Sequence, residues 1–420
     1  MTKNDDAIEL HKTLKGKIEI CSRIPPNKIF EDEATDKGIL DLIYTPGVAY
    51  VAEQIYHDKE LAYDYTSKWN NVAIVCDGTR VLGLGNVGPE SALTVMEGKS
   101  ILFKILGNIN AYPLCIATQS KEEIIKFVKL IEPNFGAINI EDIESPKVLE
   151  IVEILQKEMS IPVFHDDQHG TAAITLAALI NALKIVNKRS EKVKVIIAGA
   201  GSAGYGIFKV LYKAGFKEIV VVDKKGAIYE DREDLNSLQP INGANNNETQ
   251  NGTISHANSY KIEIASKTNK KNISGNLENV VDGADIFIGT TGNGKILDSK
   301  MIKSMSYEPI IFALSNPDPE IAPEIAKRAG AKIIATGRSD YPNQINNAVV
   351  FPSIFRALLD LRIKNIDENI LIAVAQSIAD LVDLKQLKED YIIPKINDPR
   401  ILPIVTKSIK EYILSQGNNQ

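Results

Sequence analysis

The sequence predicts an α/β protein in which a doubly wound parallel sheet follows a separate N-terminal α/β domain and precedes a helical C-terminal segment. The main observation is a series of unbroken apolar strands that alternate with helices, namely "KVKVIIAG", "EIVVVD", "ADIFIGT", "PIIFALS" and "AKIIATG". Such strands are typical of parallel sheets that are covered on both faces. The chain of 420 residues is also long enough for two or three domains with their own cores.

The domain boundaries are placed where the texture of the sequence changes. Residues 1–160 mix helices with short strands such as "NNVAIVCDG" and "AYPLCIA" and form the predicted N-terminal domain. Residues 161–341 contain the strands of the doubly wound sheet, and residues 342–420 are predicted to be helical. Residues 237–256 are rich in Asn, Thr, Ser and Gly and bury little apolar surface, so they are predicted to be a flexible surface insertion.

Composition excludes several classes of protein. Hydrophobic residues make up 44% and charged residues 24% of the chain, and the net charge of −6 argues against a nucleic-acid partner. The polar, acidic N-terminus lacks the pattern of a signal peptide. No apolar run is expected to span a membrane, and the longest, "TAAITLAALINALKI", is predicted to be a buried helix. Cys21, Cys76 and Cys115 are far apart in the sequence, which favours a reduced, cytoplasmic setting.

One glycine loop has the full context of a Rossmann-type NAD(P)-binding site. Gly199, Gly201 and Gly204 lie between a strand and a helix, and Asp223 ends the next strand. Gly199 allows the tight turn, Gly201 lets the backbone approach a pyrophosphate, and Gly204 lets the helix pack closely. The N-terminus of that helix then supplies N–H donors and a favourable dipole for the phosphates.

A second segment has the same glycine spacing but not the same context. Gly83, Gly85 and Gly88 are followed by Pro89, and the next strand ends at Thr118 without an acid that would bind a ribose. This first loop is therefore predicted not to bind a nucleotide.

Pairs of adjacent carboxylates follow two short apolar strands. They are residues 141–142 in "INIEDIES" and residues 166–167 in "HDDQHGT", and together they predict an all-oxygen site for Mg²⁺ or Mn²⁺. The alternative is zinc on His165 and His169, which have i, i+4 spacing. The abundance of carboxylates and the lack of a nearby thiolate favour the harder cations.

Taken together, these motifs resemble those of the malic enzymes, in the short bacterial-type form that has no appended acyltransferase-like domain. The resemblance spans essentially the whole chain apart from the insertion. It rests on the ordered blocks "YTPGVA", "DGTRVLGLGNVGPE", "MEGKS", "INIEDI", "HDDQHGTA", "GAGSAG", "ALSNPDPE" and "TGRSDYPNQINNAVVFP".

The resemblance implies a reaction. Malic enzymes oxidise L-malate at C2 and decarboxylate the oxaloacetate to pyruvate, using NAD or NADP and Mg²⁺ or Mn²⁺. By resemblance, Lys99 is the general base, Asp166 orients it, and Tyr44 is the acid that protonates C3 of enolpyruvate. Burial and an adjacent cation are expected to lower the pKa of Lys99.

The resemblance also implies which residues bind the ligands. The expected metal ligands are Glu141, Asp142 and Asp167. The expected malate-binding residues are Arg80, Lys99, Asn316, Asn346 and Asn347, with the closer of the last two left open. The expected cofactor-binding residues are Gly199, Gly201, Ser202, Ala203, Gly204, Asp223, Thr290, Thr291 and Asn316. The first loop is expected to pass between Arg80 and Lys99, so that both reach one small dicarboxylate.

Several alternatives remain open from the sequence. Asp223 favours a free ribose 2′-OH and hence NAD, whereas Lys224 and Lys225 suit a 2′-phosphate. A malolactic conversion of malate to lactate uses overlapping groups, and a catalytically silent dinucleotide-binding or sensing protein is a further alternative. The expected partner is the small-molecule substrate, with neither nucleic acid nor membrane. The resemblance implies a homodimer, in which Tyr44 of one subunit completes the site of the other.

Overall fold

Runs of valine, isoleucine and alanine build two separate sheets. The computed structural model describes residues 3–14, 16–24, 39–236 and 256–417. The insertion predicted at 237–256 lies outside the described residues except for His256, which begins a helix.

The first sheet is parallel and has the strand order β2-β1-β3-β4. Its strands are β1 Asn71–Cys76, β2 Asn110–Cys115, β3 Ala137–Ile140 and β4 Val163–His165. β1 and β3 are buried along their whole length, as central strands between helices should be. Since β4 belongs to this sheet, the first sheet continues past residue 160. The division at 160 and 341 stays a prediction, and the sheets favour a boundary after His165.

The second sheet has the order β10-β9-β8-β5-β6-β7 and is parallel except for the short β7. Its strands are β5 Lys194–Ala198, β6 Glu218–Asp223, β7 Gly226–Ala227, β8 Ile286–Gly289, β9 Ile310–Ala313 and β10 Ile333–Thr336. The chain extends the sheet on one side of β5 through β6 and then on the other side through β8. The strand order therefore reverses between β5 and β8, which is where open α/β sheets bind ligands. The predicted doubly wound parallel sheet is confirmed.

Helices cover both sheets. Those of the N-terminal part are Lys3–Leu14, Ile39–Ile43, Gly47–His57, Ala62–Tyr65, Gly88–Gly107, Lys121–Ile131 and Lys147–Glu158. A π-helical turn, Asp166–Gly170, leads into Thr171–Val186. The second sheet is accompanied by Ser202–Lys213, Glu233–Asn236, His256–Lys267, Leu277–Val281, Ser299–Ser304 and Pro323–Ala329. The predicted helical C-terminal segment contains Phe351–Leu361, Glu368–Ala379 and Ile401–Gly417.

The helix between the two sheets is a core element. By length and composition alone, residues 166–186 are long and apolar enough to cross a membrane, which differs from the expectation that no run would be. However, 78% of the apolar window is buried inside the molecule, in agreement with the predicted buried helix. Asn181 on this helix donates hydrogen bonds to the carbonyl oxygens of Ala379 at 2.9 Å and Ile392 at 3.0 Å. These bonds fix the C-terminal segment against it.

The C-terminal segment also packs against the first domain. The Phe351 and Phe355 rings lie with their centroids 4.6 and 5.0 Å from that of Phe103, on the helix Gly88–Gly107. All three rings are buried, and their tilted and edge-to-face arrangement is the favourable one for aromatic pairs. Because this helix also carries Lys99, the C-terminal segment helps to position that side chain.

Candidate active site

A cavity of about 1120 Å³ lies where the carboxyl ends of the two sheets meet. It is large enough for a dinucleotide together with a small acid. Most of the binding residues expected from the sequence line this cavity. They are Arg80, Asp142, Asp167, Gly199, Gly201, Ser202, Ala203, Asp223, Thr290, Thr291, Asn316, Asn346 and Asn347.

The second glycine loop has a tight geometry that requires glycine at two of its three positions. Gly199 has φ +111°, and a Cβ atom there would lie 2.7 Å from Oγ1 of Thr290. A Cβ at Gly204 would lie 1.9 Å from the carbonyl oxygen of Gly199. A Cβ at Gly201 would meet nothing within 4 Å, so this glycine leaves open space on the cavity side. The loop therefore has the features that close approach of a pyrophosphate needs.

Asp223 is held by cations at the end of β6. Arg232 donates two hydrogen bonds to its carboxylate, from Nη1 at 2.9 Å and Nη2 at 2.8 Å, and Lys261 Nζ lies 2.6 Å from Oδ2. Although burial raises the pKa of Asp223, the hydrogen bonds from Arg232, Lys261 and the backbone of Lys225 lower it to about 2. Asp223 is therefore a charged acceptor on the cavity wall.

Lys99 lies between two carboxylates. Its Nζ is 2.5 Å from Oε1 of Glu141 and 2.5 Å from Oδ2 of Asp166, and its side chain is 10% exposed. The ammonium also lies 4.7 Å from the centroid of the Phe351 ring. Burial lowers the pKa of Lys99, but the two carboxylates outweigh burial and hold the pKa above its usual range. The expectation of a lowered pKa is therefore wrong for this arrangement.

The neighbouring carboxylates carry more negative charge than the cations beside them balance. Burial, followed by the charges of Glu141 and Asp167, raises the pKa of Asp142 to about 8. Burial raises the pKa of Asp166 to about 7 against the opposing effect of Lys99, and it also raises the pKa of Asp167. Such a cluster is stabilised by an additional cation.

The donor chemistry of this cluster fits a hard divalent cation. The residues offer carboxylate oxygens, and the buried Oδ1 of Asp166 has no hydrogen-bond partner among the described residues. Among the described residues, no three His, Cys, Asp or Glu side chains are already arranged around a common metal position. Glu141 instead contacts Lys99 and accepts a 2.8 Å hydrogen bond from Asn139. The assignment of Glu141, Asp142 and Asp167 as metal ligands stays a prediction.

The two histidines of the zinc alternative belong to the core. His165 is 0% and His169 9% exposed, and burial lowers their pKa values to about 4 and about 3. Nδ1 of His169 accepts a 3.1 Å hydrogen bond from the backbone N–H of His165, so that nitrogen is already used. In the part of the chain that the structure describes, no group of three His, Cys, Asp or Glu side chains forms a zinc site with them.

The first glycine loop packs against a loop of the second sheet. A Cβ at Gly83 would lie 2.5 Å from Cδ of Pro317 and 3.2 Å from the carbonyl oxygen of Asn316. Gly85 has φ +78° and lines the cavity. Packing against the second sheet is therefore enough to explain the small residues of this loop, and no bound nucleotide is needed to explain them.

Arg80 extends across the same junction. A Cβ at Gly292 would lie only 2.5 Å from Nη2 of Arg80, so the guanidinium packs against the Gly292 backbone. The charges of Lys99 and Arg80 both lower the pKa of Asp142, which means that the two cations approach one carboxylate cluster. The idea that both reach one dicarboxylate stays a prediction.

Sequence comparison identifies the family. One family profile, described as the N-terminal domain of malic enzyme, matches residues 26–123, and a second, described as the malic enzyme NAD-binding domain, matches residues 168–413. The chain belongs to the malic enzyme family. The resemblance recognised in the sequence motifs is therefore confirmed.

Individual malic enzymes match along nearly the whole chain. A bifunctional malic/malolactic enzyme of Bacillus subtilis is 45% identical over 417 residues, covering 99% of this chain and 94% of its own length. An NADP-dependent malic enzyme of Halomonas elongata is 36% identical and covers 99% of this chain and 94% of its own length. The crystal structure of the NAD-dependent malic enzyme of Thermotoga maritima superposes with a TM-score of 0.85 at 45% identity, covering 96% of this chain and 99% of that one.

The three asparagines expected to bind malate in this malic enzyme lie on the cavity wall in different settings. Asn316 packs against Gly337, since a Cβ at Gly337 would lie 2.5 Å from Nδ2 of Asn316. The side-chain oxygen of Asn346 accepts a 2.8 Å hydrogen bond from the N–H of Ala348 and so caps the short helix Asn347–Val349. One acceptor position of the Asn346 side chain is therefore already used, and this favours Asn347 as the more versatile contact.

Tyr44 differs from the other expected catalytic residues in its exposure. It is 68% exposed, whereas the side chains of Lys99 and Asp166 are 10% and 0% exposed, and none of the three is among the residues that line the cavity. Exposed apolar side chains surround it along the helices Ile39–Ile43 and Gly47–His57. They are Leu40, Leu42, Ile43, Val48, Tyr50, Val51 and Tyr56.

Replacing Gly204 with alanine is expected to damage the cofactor site, because the new methyl would overlap the Gly199 carbonyl. Overpacking of this kind costs about 1–3 kcal/mol. Gly201→Ala is the matched control, since its Cβ meets open space. Thermal unfolding and NAD titration by fluorescence should show a lower melting temperature and weaker binding for Gly204→Ala, and a near-normal melting temperature for Gly201→Ala. Equal melting temperatures for the two variants would contradict the packing argument.

Several residues of the site were not found from the sequence. Arg232 and Lys261 hold Asp223, yet they follow it by 9 and 38 positions, and Lys261 lies beyond the insertion. Asn139 contacts Glu141, and Phe351 contacts Lys99. Both residues were missed although they lie inside the recognised motif blocks. A polar residue within an otherwise apolar strand, as Asn139 is, was the available signal.

Proposed function

We propose that this chain catalyses the divalent-metal-dependent oxidative decarboxylation of L-malate to pyruvate and CO₂, with reduction of NAD or NADP, in the cytoplasm. The observation that carries the proposal is the position of Lys99 between Glu141 and Asp166, beside the cavity that also contains the glycine loop of Gly199. A base, a carboxylate cluster and a dinucleotide crevice are the groups that this reaction needs in one place.

Arg80 binds a malate carboxylate in this proposal. Its guanidinium has no carboxylate within ion-pair distance in the described ranges, and it lines the cavity next to Asp142. A planar guanidinium is suited to a bidentate contact with a carboxylate. Asn316 and Asn347, which line the same cavity, orient the substrate through their amides.

Lys99 is the proposed base for the proton of the C2 hydroxyl as hydride leaves C2, and it acts in its neutral form. Glu141 and Asp166 favour the protonated form, and a cation held by Glu141, Asp142 and Asp167 would oppose their effect. Asp166 is fully buried and holds Nζ from the core side, while the Phe351 ring restricts the ammonium from another direction. These contacts fix the position of Nζ, which is the main requirement for a general base. When bound at Glu141, Asp142 and Asp167, the divalent cation supplies polarisation of the C2 oxygen and stabilisation of enolate charge, and the nicotinamide supplies the hydride acceptor.

Tyr44 protonates C3, and it does so in the site of a second subunit. Tyr44 is exposed, and the exposed apolar side chains on the two adjoining helices have the character of an interface. We therefore propose a homodimer with an isologous contact at this surface. Each cavity then receives Tyr44 from its neighbour.

NAD is the proposed preferred cofactor. Asp223 is charged and lines the cavity at the end of β6, where a carboxylate suits the hydroxyls of an unphosphorylated ribose. A 2′-phosphate would have to compete with Asp223 for Arg232, which also contacts Asp234 through Nε at 2.7 Å. Relatives of both cofactor types exist, so the preference rests on this arrangement of charges.

The test is a malate assay with Mn²⁺, run separately with NAD and NADP, in which reduced nicotinamide, pyruvate and lactate are all quantified. We expect equal amounts of pyruvate and reduced cofactor, faster turnover with NAD, and no turnover after complete chelation of the metal. Pyruvate formation that survives chelation would overturn the metal assignment. A cofactor-dependent rise in melting temperature without any malate turnover would instead indicate a silent binding protein.

A second activity is supported by one relative. The Bacillus subtilis protein is described as a bifunctional malic/malolactic enzyme and is 45% identical to this chain. Conversion of malate to lactate would retain the reduced cofactor for a second step at the same site. In the same assay, lactate without net accumulation of reduced nicotinamide identifies this activity.

A further inference from the structure

Two cysteines that are far apart in the sequence lie side by side in the first sheet. Cys76 ends β1 and Cys115 ends β2, and they are direct partners in the register of this parallel pair. Neighbouring strands lie about 4.8 Å apart, which is within the range of about 4.4–6.8 Å between the Cα atoms of disulfide-bonded cysteines. Both side chains pack in the same apolar cluster, so both lie on the same face of the sheet.

The two thiols have different surroundings. Cys76 is fully buried, whereas Cys115 is half-buried on the edge strand β2. The neighbouring Cys76 thiol holds the pKa of the Cys115 thiol below its ordinary value. The proximity of Cys115, together with burial, raises the pKa of the Cys76 thiol. Cys115 therefore has the accessibility and thiolate character of an attacking cysteine, and Cys76 has the position of a resolving one.

We propose that Cys76 and Cys115 form a reversible disulfide when the protein meets hydrogen peroxide. The Cys115 sulfur attacks one peroxide oxygen, the O–O bond breaks, and a sulfenic acid and one water result once the thiol proton is transferred. The Cys76 sulfur then attacks the Cys115 sulfur, the S–O bond breaks, and the second water leaves with the Cys76 proton. Two thiols lose two electrons in total, and one peroxide is reduced to two waters.

Disulfide formation would act on the turn that carries Arg80. Sγ of Cys76 accepts a 3.2 Å hydrogen bond from the N–H of Gly78, and the Gly78 carbonyl accepts hydrogen bonds from Val87 and Gly88. A Cβ at Gly78 would lie 2.3 Å from the Gly88 carbonyl oxygen, so the turn has no free space. Rotation of the Cys76 sulfur towards Cys115 removes the Gly78 contact. Because Arg80 follows two residues later, we expect weaker malate binding, an effect that rests on the proposed function.

The chemical test uses the full-length protein in the Cys21→Ser background, which removes the exposed third thiol. The protein is treated with hydrogen peroxide, remaining thiols are alkylated, and the digest is analysed by mass spectrometry without reduction. We expect a crosslinked peptide pair that contains Cys76 and Cys115 and is released by dithiothreitol. Recovery of both cysteines on separate peptides, alkylated or over-oxidised, would overturn the proposal. Since this measurement needs no turnover, it is independent of the proposed function.

The functional test compares malate kinetics before and after peroxide treatment. In Cys21→Ser we expect the malate KM to rise at least about threefold and to return with dithiothreitol, with a smaller change in kcat. Cys115→Ser, which alters only the half-buried partner, should keep its KM through the same treatment. A crosslink that forms without any change in KM would overturn the coupling to Arg80. An equal rise of KM in Cys115→Ser would assign the effect to another group.

Discussion

Lys99→Ala is expected to lower kcat for malate oxidation by about 10²–10⁴-fold, the range typical for loss of a general acid or base. The variant should still bind NAD, because the glycine loop of Gly199 lies on the second sheet and makes no use of Lys99. Stopped-flow absorbance of reduced nicotinamide gives the rate, and NAD titration gives the affinity. The difference between the two measurements separates a chemical role from a general loss of structure.

The matched control for this variant is on the same helix. Lys104 is exposed, and its Nζ donates a 3.1 Å hydrogen bond to Asn110. Lys104→Ala removes an equal charge without touching the carboxylate cluster, so its rate should stay within about twofold of the unchanged protein. If folded Lys99→Ala retains a rate within tenfold, Lys99 is not the base. Melting temperatures are needed beside the rates, because the carboxylate of Asp166 is fully buried and loses a partner in Lys99→Ala.

Tyr44→Phe removes one hydroxyl and is expected to lower turnover by about 10²–10⁴-fold without lowering the melting temperature. The Tyr44 side chain is 68% exposed, so removing its hydroxyl leaves no buried polar group of the same chain without a hydrogen-bond partner. Tyr50→Phe is the matched control, since Tyr50 is 71% exposed on the adjoining helix Gly47–His57. Equal turnover in the two variants would remove Tyr44 from the mechanism.

Subunit mixing decides whether Tyr44 acts in its own chain or in the neighbouring one. Tyr44→Phe and Lys99→Ala homodimers are mixed in equal amounts and allowed to exchange subunits. If Tyr44 acts across the interface, each mixed dimer has one intact site, and activity should recover to about one quarter of the unmutated value. If Tyr44 acts within its own chain, the mixed dimer has no intact site and no activity returns. Separation of the dimers by a tag on one parent confirms that exchange occurred.

The parts predicted well from the sequence are those in which local pattern and tertiary structure agree. The strand of Lys194–Ala198, the loop of Gly199 and the acid at Asp223 follow one another along the chain, so their spacing alone places them. The same holds for the carboxylates that end β3 and follow β4, since parallel strands bring their carboxyl ends to one edge. The expected contact between Lys99 and Asp166 is present at 2.5 Å, while their catalytic roles stay predictions.

The parts that were missed depend on contacts between distant segments. The strand register that brings Cys76 to Cys115 is a property of the assembled sheet, and no short spacing reports it. The second carboxylate on Lys99, Glu141, reverses the expected direction of its pKa change, because two nearby negative charges outweigh burial. A sequence motif lists the residues of a site, but the sign of an electrostatic effect depends on their distances.

The contacts that hold the Lys99 ammonium have a consequence for engineering this protein. Its ammonium is held by Glu141 after β3, by Asp166 after β4 and by Phe351 of the C-terminal segment, so all three parts of the chain meet at one nitrogen atom. A chimaera that takes its cofactor domain and C-terminal helices from a relative would also replace the aromatic support of the base. Cofactor preference is therefore better altered by point changes around Asp223 than by exchange of whole modules. The two sheets suggest separable domains, but the contacts of Lys99 join all three parts of the chain.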